Sequence, residues 1–99
     1  MSETMNALRM AVETGKSVFG YRQTAKGIKS RAVKLLVISS NAPVDQANLL
    51  ARLARENGVK VLPFPGTGWD LAALCNRSHV ISSLGVMDAG QSNLLDRAG

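Results

Sequence analysis

The segment from Lys34 to Ser39, with its uninterrupted apolar run, constrains the fold of this chain more than any other segment. A strand with one solvent-exposed face alternates apolar and polar residues, whereas a continuous apolar run is typical of a strand buried on both faces. Such a strand needs helices on both sides of its sheet. The run therefore predicts a central strand in a layered α/β domain.

The remaining segments alternate between helical and strand-like patterns. Helices are predicted at 2–14, 23–30, 43–57 and 67–75, with a short final helix that carries Leu94 and Leu95 after a cap at 88–92. Further strands are predicted at 17–19, 59–64 and 81–87. Pro63 cannot donate to a strand ladder, so the strand that contains it is expected to lie at an edge or to end there. The order predicts an α/β layered sandwich of about four strands, in which antiparallel pairing of some strands stays open.

Local signals mark the starts of several helices. Ser2 or Thr4 is expected to cap the first helix, and Pro43 is expected in the first turn of the third. Thr67 and Asp70 have the spacing of a capping box before the fourth helix. With no internal repeat, linker or low-complexity tract, the chain is expected to form one domain spanning residues 1–99.

A basic stretch carries the strongest functional signal. Six basic residues and no acidic one lie between Thr14 and Val44. Within this stretch, Lys16, Arg22 and Lys26 flank Gly20, where a strand is expected to lead into a helix. Helix starts expose backbone N–H groups and the positive end of the peptide dipoles, which attract phosphate. A solvated helix face is the alternative reading of the lysines, but the position beside a glycine loop favours RNA as the partner.

Composition agrees with a small basic RNA-binding domain. The 99 residues are 45% hydrophobic and carry a formal net charge of +5, which favours a polyanionic partner. The single cysteine excludes an internal disulfide and fits a reducing compartment. No apolar run approaches the roughly 18 residues that a membrane span needs, and Met1 to Asn6 lacks the features of a signal peptide. A cytoplasmic protein without a membrane partner is therefore expected.

No group of residues predicts catalysis, a metal site or a cofactor site. Cys75 and His79 have a helical spacing, but no second cysteine or histidine completes a zinc site, and Cys75 is expected in the core. Gly66 and Gly68 lack the third glycine of a dinucleotide loop, because Leu71 stands at that position. The acidic residues are scattered and lie mostly near helix ends. An enzyme is not expected.

Several motifs, in order and spacing, resemble a known family over essentially the whole chain. They are Gly20-Tyr21-Arg22-Gln23-Thr24-Ala25-Lys26, residues 34–43, Phe64-Pro65-Gly66-Thr67, Asn76-Arg77-Ser78-His79-Val80-Ile81 and Asp88-Ala89-Gly90-Gln91-Ser92. The chain resembles the L-thirty-e family of archaeal and eukaryotic large-subunit ribosomal proteins, within the superfamily typified by protein L-seven-Ae. That family implies a three-layer α/β/α sandwich with a four-stranded mixed sheet.

The resemblance also implies a partner and a binding surface. Proteins of this superfamily bind kink-turn RNA, a sharply bent internal loop flanked by sheared G·A pairs. By this resemblance, one group of residues is expected to contact the RNA backbone and the G·A edges: Gly20, Tyr21, Arg22 and Lys26. Asn41 is expected to add a polar contact. An apolar wall for the extruded nucleotide is expected from His79, Val80 and Ile81.

Two positions depart from the superfamily pattern. Arg22-Gln23 stands where the L-seven-Ae branch has an Asn-Glu pair that reads guanine edges, and a basic residue at this position suits the L-thirty-e branch. Asn76 stands where glycine is common, and asparagine tolerates the left-handed backbone region.

The resemblance implies a structural constituent of the large ribosomal subunit, monomeric when free, that contacts ribosomal RNA and neighbouring ribosomal proteins. A kink-turn protein outside the ribosome, in a guide-RNA particle or as an RNA regulator, is the first alternative. A protein-interaction module on the same fold is the second, although such relatives tend to be acidic, whereas this chain has a pI near 10.0.

Overall fold

A computed structural model describes the backbone of residues 3–97 and the side chains of residues 3–95. The helices are α1 (Glu3–Thr14), α2 (Tyr21–Lys29), α3 (Val44–Glu56), α4 (Gly68–Leu74) and α5 (Leu94–Arg97). The strands are β1 (Lys16–Phe19), β2 (Leu35–Ile38), β3 (Lys60–Pro63) and β4 (Ser83–Asp88). The predicted alternation of helices and strands is therefore confirmed.

The strands form one four-stranded mixed sheet in the order β1-β4-β2-β3. Strands β2 and β3 are parallel, and β4 runs antiparallel to both β1 and β2. The apolar run lies in an inner strand, as predicted, and Pro63 lies in the edge strand β3, where its missing N–H group is tolerated.

Alternate side chains of β2 reach opposite layers of helices. Leu35 and Val37 are buried in a core cluster with residues of α1, α4 and α5. Leu36 is buried in a second cluster with residues of α2 and α3. Successive side chains of a strand point to opposite faces, so a strand covered on both sides can be apolar throughout. The two clusters confirm the three-layer α/β/α sandwich.

Several predicted boundaries were wrong by a few residues. Helix α2 begins at Tyr21, not Gln23, because the Gly20 carbonyl already accepts the Thr24 N–H at 3.0 Å. Pro43 is the N-cap of α3 and not part of its first turn, since its ψ of 132° is extended. Thr4 lies inside α1, and Ser2 lies outside the described residues.

The start of β4 was also misplaced. The strand begins at Ser83, two residues after the predicted Ile81. The Ile81 N–H donates to the Gly68 carbonyl at 3.0 Å, so this residue is tied to the start of α4 and not to a strand. Among residues 3–97, every helix is too short or too polar to cross a bilayer.

Candidate nucleic-acid interface

The candidate residues gather at one end of the sheet. The carboxyl ends of β1 and β2 and the start of β4 meet there because β4 is antiparallel to both strands. The Gly20 N–H donates to the Ser83 carbonyl at 3.0 Å, and the Ser39 N–H donates to the Ser82 carbonyl at 2.9 Å. The loops after β1, after β2 and before β4 therefore form one continuous surface.

Gly20 lets β1 turn directly into α2. Its φ of 88° and ψ of 163° lie in a region that residues with a Cβ atom essentially never adopt. A Cβ atom here would meet nothing within 4 Å, so the backbone conformation, not crowding, requires glycine. No side chain caps α2, and its first turn contains no acidic residue. The positive end of the helix is thus left open to an anionic ligand.

Side chains of α2 divide between the core and the solvent. Thr24 and Ile28 are fully buried, whereas Arg22 and Lys26 are exposed. Neither cation forms an ion pair with a carboxylate of residues 3–95, so their charges are available to a partner. We call Gly20, Tyr21, Arg22 and Lys26 the cationic wall.

Asn41 is exposed after β2 and has a defined orientation. Its Oδ1 accepts a hydrogen bond from the Gly68 N–H at 2.9 Å and another from the Ser39 hydroxyl at 3.2 Å. Because an N–H donor must face an acceptor, the amide oxygen points inward and Nδ2 points outward. The side chain can therefore hold the start of α4 and still donate a hydrogen bond to a ligand.

The loop before β4 forms the opposite side of the surface, and we call His79, Val80 and Ile81 the apolar wall. His79 and Val80 are exposed, whereas Ile81 is only 5% exposed and packs in the core. Ile81 thus supports the wall from below and offers little surface of its own. A Cβ atom on Gly68 would lie 2.7 Å from Val80 Cγ2, so glycine allows this loop to pack closely against α4.

Arg77 connects the two walls, and sequence reasoning did not select it as a site residue. Its guanidinium carbon lies 4.2 Å above the centroid of the Phe19 ring. It also lines a shallow groove of about 330 Å³ that runs between Gly20 and the apolar wall. The only signal in the sequence was its place in the Asn76–Ile81 motif. Asn76 itself has a φ of 57°, the left-handed conformation predicted for it.

The segment from Thr67 to Asp70, at the start of α4, has a structural role. The Thr67 side chain accepts the Asp70 N–H at 3.3 Å, and Asp70 Oδ2 accepts the Thr67 N–H at 2.9 Å. This reciprocal pair confirms the predicted capping box. The segment orients Gly68, whose N–H and carbonyl groups bond Asn41 and Ile81.

Cys75 and His79 do not form a reactive pair. Cys75 is buried where α4 ends, whereas His79 is exposed. Burial raises the pKa of the Cys75 thiol to about 11, against a smaller opposite effect of the Arg77 charge. The thiol is therefore neutral and unreactive near pH 7. Within the described part of the chain, no set of three His, Cys, Asp or Glu side chains is arranged to hold a metal ion.

Comparison with known proteins agrees with this architecture. Residues 2–96 match the family described as "Ribosomal protein L7Ae/L30e/S12e/Gadd45 family". The protein named large ribosomal subunit protein eL30 of Methanopyrus kandleri is 39% identical over 95 residues, covering 96% of this chain and 87% of the relative. The protein of the same name from Pyrobaculum calidifontis is 39% identical over 88 residues, or 89% of this chain and 87% of the relative.

A third relative, the eL30 protein of Saccharolobus solfataricus, is 33% identical over 89 residues, covering 90% of this chain and 82% of that protein. These matches confirm the resemblance noted in the sequence. They also confirm the prediction that the chain is not an enzyme, because the relatives it matches are named as proteins of the large ribosomal subunit. The chain belongs to the Ribosomal protein L7Ae/L30e/S12e/Gadd45 family.

Proposed function

We propose that the protein is a structural constituent of the large ribosomal subunit and binds a kink-turn in ribosomal RNA. One observation carries the proposal: the cationic wall and the apolar wall stand at the same end of the sheet, where the Gly20 N–H donates to the carbonyl of Ser83 at the start of β4. The relatives named large ribosomal subunit protein eL30 support the ribosomal location.

The cationic wall would bind the RNA backbone and the G·A edges. Arg22 offers a planar fork that can bind a phosphate or a guanine edge through two hydrogen bonds, whereas Lys26 offers a point charge. The open start of α2 adds backbone N–H groups, and Gly20 allows the RNA to approach them closely. These contacts are charge-assisted, so they would weaken as salt concentration rises.

The apolar wall would receive the nucleotide that the kink extrudes. Val80 and the His79 ring are exposed toward the solvent, and Ile81 packs behind them. An unstacked base can lie against such side chains by shape and apolar contact. Asn41, at the end of β2 on the same surface, would donate from Nδ2 to a base or sugar oxygen. This second set of contacts would depend little on salt.

The proposed setting is the cytoplasmic ribosome, with ribosomal RNA and neighbouring ribosomal proteins as partners. The free protein is proposed to be a monomer. An extra-ribosomal kink-turn protein would use the same walls, so binding to RNA alone does not separate the two settings. Co-sedimentation with purified large subunits does: the ribosomal proposal expects stoichiometric protein in the subunit peak after a high-salt wash.

The direct test compares two RNAs of equal length in a gel-shift titration at moderate salt. One contains a kink-turn, and in the other Watson–Crick pairs replace the sheared G·A pairs. The proposal expects strong preference for the kink-turn. Equal and salt-sensitive binding to both RNAs would contradict it, since that result describes a basic protein without shape recognition.

A further inference from the structure

A second basic surface lies beside the cationic wall, in an open groove of about 740 Å³ between α2 and α3. The partly buried side chains of Leu49 and Leu53 contribute to its floor. Exposed cations line its sides: Arg22, Lys26 and Lys29 from α2, and Arg52 from α3. The groove thus combines an apolar base with a positively charged rim.

The cations of α2 form a stripe along the helix. Arg22, Lys26 and Lys29 follow one another at intervals of four and three residues, which places them on the same helix face. At 1.5 Å per residue the stripe extends about 10 Å away from the Gly20 turn. Arg22 and Lys26 belong to the cationic wall, so the groove overlaps the proposed kink-turn contact and continues beyond it to Lys29 and Arg52.

Within residues 3–95, no carboxylate neutralises these charges through an ion pair. Neither Lys29 nor Arg52 forms an ion pair with any carboxylate of residues 3–95. Asp45 and Glu56 lie in the first and last turns of α3, and Arg52 pairs with neither of them. Side chains of like charge repel when they share a groove, and an anionic ligand relieves this repulsion.

We propose that this groove binds the sugar–phosphate backbone of an RNA stem that continues from the kink-turn, with Lys29 and Arg52 as the additional contacts. The inference rests on the proposed function and extends it. Charge complementarity and continuity with Arg22 and Lys26 favour an RNA backbone over a protein partner. Lysine and arginine contacts to phosphate carry no sequence information, so the stem is held whatever its sequence.

The test uses a double variant and a matched control on the opposite side of the sheet. Lys29→Gln/Arg52→Gln removes the proposed contacts. Arg9→Gln/Lys60→Gln removes the same charges elsewhere: Arg9 is exposed on α1, and Lys60 shares its strand face with Leu62, which packs on the α1 side. Both variants must retain the wild-type melting profile by circular dichroism.

Two kink-turn RNAs distinguish contacts in the groove from contacts with the two proposed walls. In one RNA the stem ends beside the kink, and in the other that stem is extended by about a helical turn. We expect wild-type protein to bind the extended RNA more tightly. On that RNA, Lys29→Gln/Arg52→Gln is expected to bind about tenfold more weakly, with a salt slope reduced by about 2. On the short RNA, the two double variants are expected to bind alike.

Equal affinities of the two double variants for the extended RNA would overturn the inference and leave the proposed function standing. That result would also be expected if an acidic protein surface occupied the groove. Failure of wild-type protein to prefer either kink-turn RNA over its Watson–Crick counterpart would overturn the proposed function, and the inference with it.

Discussion

The two walls of the candidate interface are built in different ways. The cationic wall lies on a regular helix anchored by Thr24 and Ile28, which are both fully buried. The apolar wall lies on a loop without regular structure, which backbone hydrogen bonds hold in place: Arg77 N–H to the Ala72 carbonyl and Ile81 N–H to the Gly68 carbonyl. The cationic wall therefore offers positive charge to a ligand, whereas the apolar wall offers an apolar surface of fixed shape.

This difference separates two components of binding. The proposed RNA contacts of the cationic wall would release counterions and would therefore depend on salt. The proposed contacts of the apolar wall would remove apolar surface from water and would depend on salt much less. Variants of each wall should consequently differ in how their defects respond to ionic strength, and not only in the size of those defects.

The largest effects are expected from the charged side chains. Arg22→Ala and Lys26→Ala should each weaken binding to kink-turn RNA by roughly 1–3 kcal/mol and reduce the salt slope by about 1. Arg9→Ala and Lys60→Ala, exposed on other parts of the surface, are the matched controls. Filter binding at several salt concentrations measures both quantities, and unchanged affinity in Arg22→Ala and Lys26→Ala would exclude α2 as the binding surface.

A substitution at Gly20 should disturb the cationic wall through the backbone. Gly20→Ala places a Cβ atom on a residue whose φ of 88° and ψ of 163° are accessible essentially only to glycine, so it should lower the free energy of unfolding by about 1–3 kcal/mol. RNA binding should also weaken, because the start of α2 must shift to relieve this strain. Gly58→Ala is the control, because Gly58 also has a positive φ, 70°, but lies after α3. Denaturant melts and RNA titrations of both variants make the comparison. A wild-type affinity in Gly20→Ala would show that the exact path of this turn is unimportant.

The apolar wall should respond differently. Val80→Ala removes exposed methyl groups and should weaken RNA binding by about 1 kcal/mol while leaving the salt slope unchanged. Val61→Ala, at a similarly exposed valine on edge strand β3, should have no effect on binding. Isothermal titration at two salt concentrations tests this. A changed slope in Val80→Ala would show that the walls do not act separately.

The effect that is smallest near neutral pH concerns the buried thiol of Cys75, which lies in the same core cluster as Ile81. Because the pKa of Cys75 is raised to about 11, the folded protein keeps this proton at pH values where an unfolded thiol, near pKa 9, loses it. The raised pKa therefore contributes to the free energy of unfolding in full below pH 9, and this contribution declines as pH rises toward 11. The loss is about 1 kcal/mol at pH 10. Denaturant unfolding of wild type and Cys75→Ala from pH 8 to 10.5 measures the difference in pH slope, and parallel slopes would contradict it.

Local patterns in the sequence predicted much of the fold. The apolar run of β2, the edge position of Pro63 and the capping box of Thr67 each follow from interactions within a few residues or from burial on both faces of a sheet. The start of β4 was misplaced because a long-range hydrogen bond decides it: Ile81 bonds Gly68 and not a neighbouring strand. The starts of α2 and α3 depend on the local backbone conformation of Gly20 and Pro43, which the sequence pattern placed within two residues.

The candidate site was less accessible to sequence reasoning. The motif identified the loops, but it did not reveal that Arg77 stacks on Phe19 or that the orientation of Asn41 is fixed by Gly68. Arg52 joined the basic surface only through the packing of α3 beside α2. Each of these contacts joins residues that are distant in sequence, and no local spacing encodes them.

Amide chemical-shift mapping with kink-turn RNA tests the central claim most directly, because it shows whether both walls contact the same ligand. The account predicts that resonances of Gly20, Lys26, Asn41 and Val80 shift together and saturate at the same RNA concentration. Shifts confined to α2, with Asn41 and Val80 unchanged, would contradict the account and leave only an electrostatic contact.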